Sequence, residues 1–293
     1  MISFSVIVPT YNRKEQLEKC IESIKNQDFD KNDFEVIVVD GGSTDSTNEF
    51  LETQGVVCIM LEERVGPGKA RNLGGRKAKG KYLAFTDSDC LVPRDWLSKL
   101  KSGYDRRSNV SGVGGSTYNP EKSVFAQHEN FIYTKYVTKQ EEYASRARDE
   151  APFALGNMSY DRELFLALGG FNESIPYFVS GEDADFKERL LQKGHTVLFV
   201  PITVIHNHTY TLKNFYNQSL QRGAGRLFDS RKKENPQNVV EILLRLVVTP
   251  LYFLAKLAAF RGNLRMTFVD SLFFVFSNLG KLIYYKKVMQ IKI

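Results

Sequence analysis

The chain has 293 residues, of which 42% are hydrophobic, 25% charged and 12% aromatic, with a formal net charge of +6. These proportions exclude collagen-like, low-complexity and wholly disordered chains, and the length allows one large domain or two medium ones. Cys20, Cys58 and Cys90 lie far apart with no C-x-x-C pair, which argues against a disulfide framework or a zinc knuckle and fits a reducing compartment. Residues 1–8 carry no basic region or cleavage motif, so no signal peptide is expected.

In chain order, Ser3–Val8 is a β-rich apolar run that ends at Pro9. From Arg13 the pattern turns helical, with Leu17, Cys20, Ile21 and Ile24 on one face. Phe34–Val39 predicts a second buried strand, and Ser43–Thr47 can cap a helix that runs to Thr53. Val56–Leu61 predicts a third strand, Gly68–Lys79 a helix and Lys81–Thr86 a fourth strand, with Pro93 suited to the first turn of the next helix. Such alternation predicts an α/β fold, a mostly parallel central sheet covered by helices on both faces. Ligands of such sheets bind beyond the carboxyl ends of the strands, so 9–12, 40–45, 61–68 and 87–90 should share one rim. Further on, Ser111–Thr117 reads as a strand and Glu121–Arg148 as a helix plus loops. Glu182–Gln192 reads as an amphipathic helix, and Thr196–Val200 and Ile202–His206 as strands.

Several short motifs sit on that rim. Asp87 and Asp89 flank Ser88 directly after the fourth strand; on a strand they would face one side and could share a hard cation or a ribose hydroxyl, although D-x-D is also common at turns. Asp40 sits at the tip of the second strand, before Gly41 and Gly42. Gly66–Asn72 lacks the spacing of a phosphate-binding P-loop, yet as a strand–helix junction it offers Arg71 to an anion or a base. At the start of the helix at 182, Ser180 and Asp183 fit a capping box; the alternative is that a carboxylate there serves as a general base. His206 and His208 stand at a strand end and could complete the shell of a metal held by Asp89. The aromatics Phe125, Phe131, Tyr133, Tyr136 and Tyr143 could stack on sugar rings or pack a core.

Taken together, VIVPTYNR (Val6–Arg13), VVDGGSTDST (Val38–Thr47), GKARNLG (Gly68–Gly74), FTDSDC (Phe85–Cys90), GNMSYDRELFLALGGFNES (Gly156–Ser174) and GEDADFKERLLQKG (Gly181–Gly194) resemble, in order, the family 2 inverting glycosyltransferases with the Rossmann-like GT-A fold. The resemblance covers residues 1–230. It implies that Pro9, Thr10, Tyr11, Asp40 and Arg71 line a nucleotide pocket that favours uridine, that Asp87 and Ser88 meet the ribose, and that Gly156 and Asn157 border the sugar. It implies that Asp89 and His206, the latter favoured over His208 by its V-x-H pattern, bind Mn²⁺ or Mg²⁺. Asp183 would be the catalytic base with Glu182 beside it, and Trp96 would be structural. The donor would be a nucleotide-diphosphate sugar and the acceptor a glycan or a lipid-linked saccharide, with no nucleic acid involved. Competing readings are a non-catalytic sugar-nucleotide-binding module, which would not need the carboxylates, and a nucleotidyltransferase, which would want a Gly-rich loop where PTYNRKE stands.

The charge is unevenly placed. Residues 231–293 hold 11 Lys/Arg against 3 Asp/Glu, a net of +8, so the rest of the chain sums to −2. Arg231–Gln237 reads as a linker. Ile242–Phe260 and Met266–Tyr285 are apolar but interrupted by Arg245, Pro250, Lys256, Asp270 and Lys281. A basic, apolar helical tail (231–293) is therefore expected behind a catalytic domain (1–230). It would touch the cytoplasmic face of a membrane through 240–293, with Arg261, Arg265, Lys286, Lys287 and Lys292 at anionic headgroups. Packing on the catalytic domain, or a homo-oligomer contact, is the competing role.

Overall fold

A computed structural model of the chain describes residues 2–106, 109–134, 143–145, 155–176, 179–232 and 237–291. The chain divides into two units. One holds Met1–Pro120, Asn130–Glu173 and Glu182–His208; the other holds Glu121–Glu129, Ser174–Gly181 and Thr209–Ile293. The boundary expected at 230/231 falls inside the second unit, at the end of one long helix.

The elements of the first unit are β1 (Phe4–Thr10), α1 (Lys14–Lys25), β2 (Phe34–Asp40), α2 (Thr47–Glu52), β3 (Val57–Met60), α3 (Pro67–Lys77), β4 (Tyr82–Phe85), β5 (Cys90–Leu91), α4 (Trp96–Asp105) and β6 (Val110–Tyr118). Then come α5 (Val124–Thr134, whose first residues belong to the second unit), β7 (Tyr143–Ser145), a 3₁₀ turn (Leu155–Asn157), β8 (Met158–Asp161), α6 (Arg162–Ala167), α7 (Glu182–Gln192) and β9 (Thr196–His206). The strands form one nine-stranded sheet in the order β3-β2-β1-β4-β8-β6-β9-β5, with β7 paired to β9.

Strand chemistry explains why the sheet is covered on both sides. Successive residues of a strand face opposite ways. In β1, Phe4, Val6 and Val8 enter one core with Leu17, Cys20, Ile21 and Ile24 of α1 and Trp96, Leu97 and Leu100 of α4. Ile7 enters the other core with Ala70 of α3, Phe165 of α6 and Phe186 and Leu190 of α7. β2 divides in the same way, Val36 and Val38 against Ile37 and Val39.

From β3 to β4 the sheet is parallel, as the alternation predicts. Beyond β4 it is mixed: β8 runs antiparallel to both β4 and β6, and β6 runs parallel to β9. The two strands expected either side of Pro201 are one, Thr196–His206; Pro201 is exposed and sits where the β6–β9 register shifts, so its missing N–H breaks no ladder bond.

The second unit contains α8 (Leu212–Lys232), α9 (Val239–Val247), α10 (Thr249–Ala259), α11 (Leu264–Ile283) and α12 (Tyr285–Met289). Pro250 in the first turn of α10 divides the expected 242–260 helix in two, and the halves meet at a bend of 59°. Leu227 and Phe228 of α8 share a small core with Ile242, Val288 and Ile291. α8 and α11 touch backbone to backbone: a Cβ on Gly223 would stand 1.9 Å from the Ser277 carbonyl oxygen, and one on Gly280 2.2 Å from that of Leu220.

Candidate active site

The loops after β1, β2 and β4 are locked together. Asp40 is fully buried, and both its oxygens serve its own turn, one accepting from the Gly42 and Ser43 amides at 3.2 and 2.8 Å and the other from the Ser43 hydroxyl. Ser43 Oγ in turn accepts from the Asn12 amide at 2.8 Å, and the Thr44 amide donates to Asn12 Oδ1 at 2.7 Å. Ser43 and Thr44 therefore clasp the neighbouring loop instead of capping α2, and Asn12 takes a left-handed φ of 49° to do so. Tyr11 lies in this loop with the Arg64 guanidinium 4.5 Å from its ring centroid. Pro9 pairs with Val39 and Thr10 with Asp40, which sets both at the strand tips; Thr10 Oγ1 is buried without a protein partner.

β4 stops at Phe85, and residues 87–89 form a turn closed by the Cys90 amide on the Asp87 carbonyl at 2.9 Å. Asp87 and Asp89 are therefore not presented side by side on a strand face, and each has its own cationic partners. Asp87 Oδ1 accepts from Arg71 Nη2 at 2.6 Å. Arg71 Nη1 reaches Glu182 Oε1 at 3.2 Å, so one buried guanidinium ties α3 to α7 across the rim. Burial works against that charge, but Asp87 and Glu182 outweigh it and hold the guanidinium protonated. Ser88 is buried. Gly156 backs onto Asp87: an added Cβ would lie 3.5 Å from Asp87 Oδ2 and 3.0 Å from Cys90 Sγ.

Asp89 is buried 3.3 Å from His206 Nε2 and 3.6 Å from His208 Nδ1, and it makes an ion pair with Arg13. The histidines reach it because β5 pairs Cys90 with His206 of β9. Burial would raise the Asp89 carboxyl, yet the two imidazoles and Arg13 hold it well below the usual carboxylate range. Its Oδ1 oxygen is buried without a hydrogen bond of good geometry, and ligand atoms of Asp89, His206 and Cys90 all lie within 4.8 Å of one another. A hard oxygen and an imidazole nitrogen, with one oxygen unsatisfied, suit Mn²⁺ or Mg²⁺.

α7 presents Glu182 and Asp183. The expected capping box is not made. Ser180 Oγ donates to the Gln221 carbonyl at 3.4 Å, and Asp183 Oδ1 accepts from the Ala184 amide at 2.8 Å. Asp183 stays partly exposed. Burial of its carboxyl, then the charge of Glu182, push it up to about 6. The helix is aimed by Arg189, which bonds Asp185 at 2.9 Å and the carbonyls of Leu168 and Gly170 at 2.6 and 2.5 Å.

Asn157, expected at the sugar, braces the scaffold. It is fully buried, its amide nitrogen donates to the carbonyls of Ser116 and Ile202 at 2.7 and 3.0 Å, and its oxygen accepts from Trp96 Nε1 at 2.8 Å. Of the aromatic candidates, Phe125 packs on Phe215, 5.0 Å between centroids, and Phe131 is exposed. Tyr136 and the side chains of Tyr133 and Tyr143 lie outside the described residues, as do Lys292 and part of the 231–237 linker. Arg13 and Asn12 are site residues that sequence reasoning passed over, although both stand in the quoted PTYNR segment.

An α/β sheet with carboxylates, a buried guanidinium and imidazoles gathered at the carboxyl ends of its strands defines the class of protein. The model of glycosyl transferase family 2 matches residues 5–169, and the chain belongs to that family. It is 27% identical over 205 residues to glycosyltransferase AglE of Haloferax volcanii, covering 67% of this chain and 63% of AglE. It is 40% identical over 126 residues to the poly(ribitol-phosphate) β-N-acetylglucosaminyltransferase TarS of Staphylococcus aureus, covering 39% of this chain and 22% of TarS. The chain thus spans less than two thirds of either relative. Among solved structures, the mannosyltransferase PcManGT of Pyrobaculum calidifontis, in complex with GDP-Man and Mn²⁺, superposes with a TM-score of 0.68 at 20% identity, covering 97% of this chain and 87% of that one. These likenesses give the fold as GT-A.

Proposed function

We propose that the chain transfers a sugar from a nucleotide-diphosphate sugar to a hydroxyl of a glycan or lipid-linked acceptor, with inversion at the anomeric carbon. The observation that carries this reading is the placing of two carboxylates on the rim: Asp89 lies 3.3 Å from His206 Nε2, while Asp183 stands in the first turn of α7 beside Glu182, where burial and that neighbour push its carboxyl up. Carboxylates in two such settings suit one cation ligand and one proton acceptor.

Asp89 Oδ1 and His206 Nε2 would hold Mn²⁺ or Mg²⁺, with His208 as the second imidazole. When bound, such a cation supplies positive charge that neutralises the departing diphosphate. Asp183, ionised at neutral pH with a pKa near that of a working base, takes the proton of the acceptor hydroxyl. Glu182, held by Arg71, sets the edge against which donor and acceptor rest. Arg71 also fixes Asp87, which with Ser88 would receive the ribose, while Pro9, Thr10 and Tyr11 line the place of the base. Asp40 shapes that pocket through its turn, and Gly156 leaves room at the sugar. A single in-line displacement needs no enzyme nucleophile.

The test is a donor panel of UDP-GlcNAc, UDP-Glc, UDP-Gal and GDP-Man with glycan acceptors, read as released nucleoside diphosphate with Mn²⁺, Mg²⁺ and EDTA arms, with the product anomer determined by NMR. Metal-dependent release with a UDP-sugar and an inverted product is expected. No release from any donor, or retention in the product, would sink the reading. The working site is the cytoplasmic side, peripheral on the membrane.

A further inference from the structure

The second unit leaves an apolar flank exposed. α11 buries Thr267, Asp270, Ser271, Ser277, Asn278 and Lys281 beside Met266, Val269 and Phe273, while Leu264, Phe268 and Ile283 are exposed. α10, an apolar helix of 11 residues, has no buried residue. α9 buries only Ile242 and exposes Val240, Leu244 and Val247, and the run continues through Leu251 and Leu254 of α10. Val247 is 73% exposed and Leu251 67%. A helix resting on a water-soluble unit normally buries its apolar stripe. Here α9 and α10 leave most of that stripe in the open, the pattern of helices that lie on a lipid surface.

From this we infer that α9, α10 and the outer face of α11 seat in one leaflet of an anionic bilayer and do not cross it. Neither α9 nor α10 spans alone: helices of 9 and 11 residues reach about 13 and 17 Å, against about 30 Å of hydrocarbon. The 59° bend between them, with Arg245 and Lys256 inside the run, breaks the line a crossing helix would need. α11 is long and apolar enough to cross. Its inner face, however, lies along α8, which bears Lys213, Arg222, Arg226 and Arg231 and pairs Arg222 with Glu129. A helix with that partner cannot be ringed by lipid. Charge selects the occupant. From Val239 to Phe268 the chain holds Arg245, Arg261 and Arg265 against Glu241, with Lys256 turned to Asp270 at 3.3 Å. A second copy seated symmetrically on this flank would bring like charges together, whereas phosphatidylglycerol or another anionic headgroup complements them. The inference is independent of the sugar-transfer chemistry, since it concerns binding only.

Co-sedimentation of the full chain with phosphatidylcholine vesicles, with and without phosphatidylglycerol, tests it. Binding to the anionic vesicles that weakens with salt is expected, and Val247→Glu with Leu251→Glu should reduce the partition at least about tenfold. Those side chains touch little, so the paired variant should keep its thermal melt and its nucleotide release with a soluble acceptor. Trp96, the one native tryptophan, is fully buried in the first unit. Leu254→Trp therefore adds a reporter that brominated lipids should quench from the shallow acyl positions. Three results would each overturn the inference: a wild-type chain that stays in solution with anionic vesicles, quenching strongest from the bilayer centre, or a lipid-free dimer that Val247→Glu with Leu251→Glu converts to monomer.

Discussion

Replacing Asp183 by Asn should make the protein more stable and nearly inactive. Asn keeps the acceptor for the Ala184 amide but cannot ionise. In the folded protein the carboxyl sits at about 6 against an ordinary 3.8, so the native state holds its proton more tightly than the unfolded chain does. Stability therefore falls as pH rises from about 4 to about 6, and the full penalty stands at neutral pH. Two pKa units correspond to roughly 3 kcal/mol, discounted to about 2 because Asp183 is partly exposed. Removing it should raise Tm by roughly 3 °C at pH 7 and by nothing near pH 4. Activity moves the other way: loss of a positioned base costs about 10²–10⁴ in turnover. The wild-type kcat should show an acid limb near 6, belonging to the Glu182–Asp183 pair, with activity dropping about tenfold per pH unit below it. Differential scanning fluorimetry across pH and steady-state release of nucleoside diphosphate measure both sides. A variant that transfers sugar normally, or one that melts lower at pH 7, would refute the reasoning.

Three further outcomes follow from the same geometry. Asp89→Ala should abolish Mn²⁺ binding by calorimetry, and His206→Ala should weaken it at least about tenfold, more than His208→Ala; the reverse order would move the ligand assignment to His208. Arg71→Ala leaves Asp87 and Glu182 without their shared cation, and urea unfolding should register a loss of about 3 kcal/mol, partly recovered by adding Glu182→Gln; a loss below about 1 kcal/mol would show that the guanidinium bridges nothing of weight. Asn157→Ala should lower stability by about 2–4 kcal/mol through the Trp96, Ser116 and Ile202 groups it strands, while leaving the KM for the donor unchanged; a raised KM with normal stability would return Asn157 to the sugar site.

The first half of the sheet was legible because its information is local. Val6–Val8 and Val36–Val39 are apolar at every step, which only a strand covered on both faces requires, and the intervening helix at Leu17–Ile24 shows its stripe plainly. The far half was not legible in the same way. That β8 slots antiparallel between β4 and β6 depends on partners distant in sequence, and Pro201 looked like a break because nothing local reveals a register shift that tolerates it. The tail was legible only in outline. Net charge and apolar windows are the same whether the polar residues of α11 point in or out, and only the packing of Gly223 and Gly280 decides that they point in.

Within the site, motif membership and chemical role came apart, and hydrogen-bond saturation separates them. Asp40 and Asn157 stand in two of the most recognisable segments, yet both oxygens of the one and the amide of the other are engaged by the scaffold, so each holds the rim in shape whatever else it touches. Thr10 Oγ1 and Arg71 Nε are the contrary case: buried polar atoms without a hydrogen-bonding partner. Leaving a buried polar atom unmade costs about 1–3 kcal/mol each, a cost that a bound ligand with the complementary group would relieve. Sequence patterns mark Asp40 and Asp89 alike as strand-end acids; the geometry separates them, the first held by the amides and hydroxyl of its own turn, the second by Arg13 and two imidazoles.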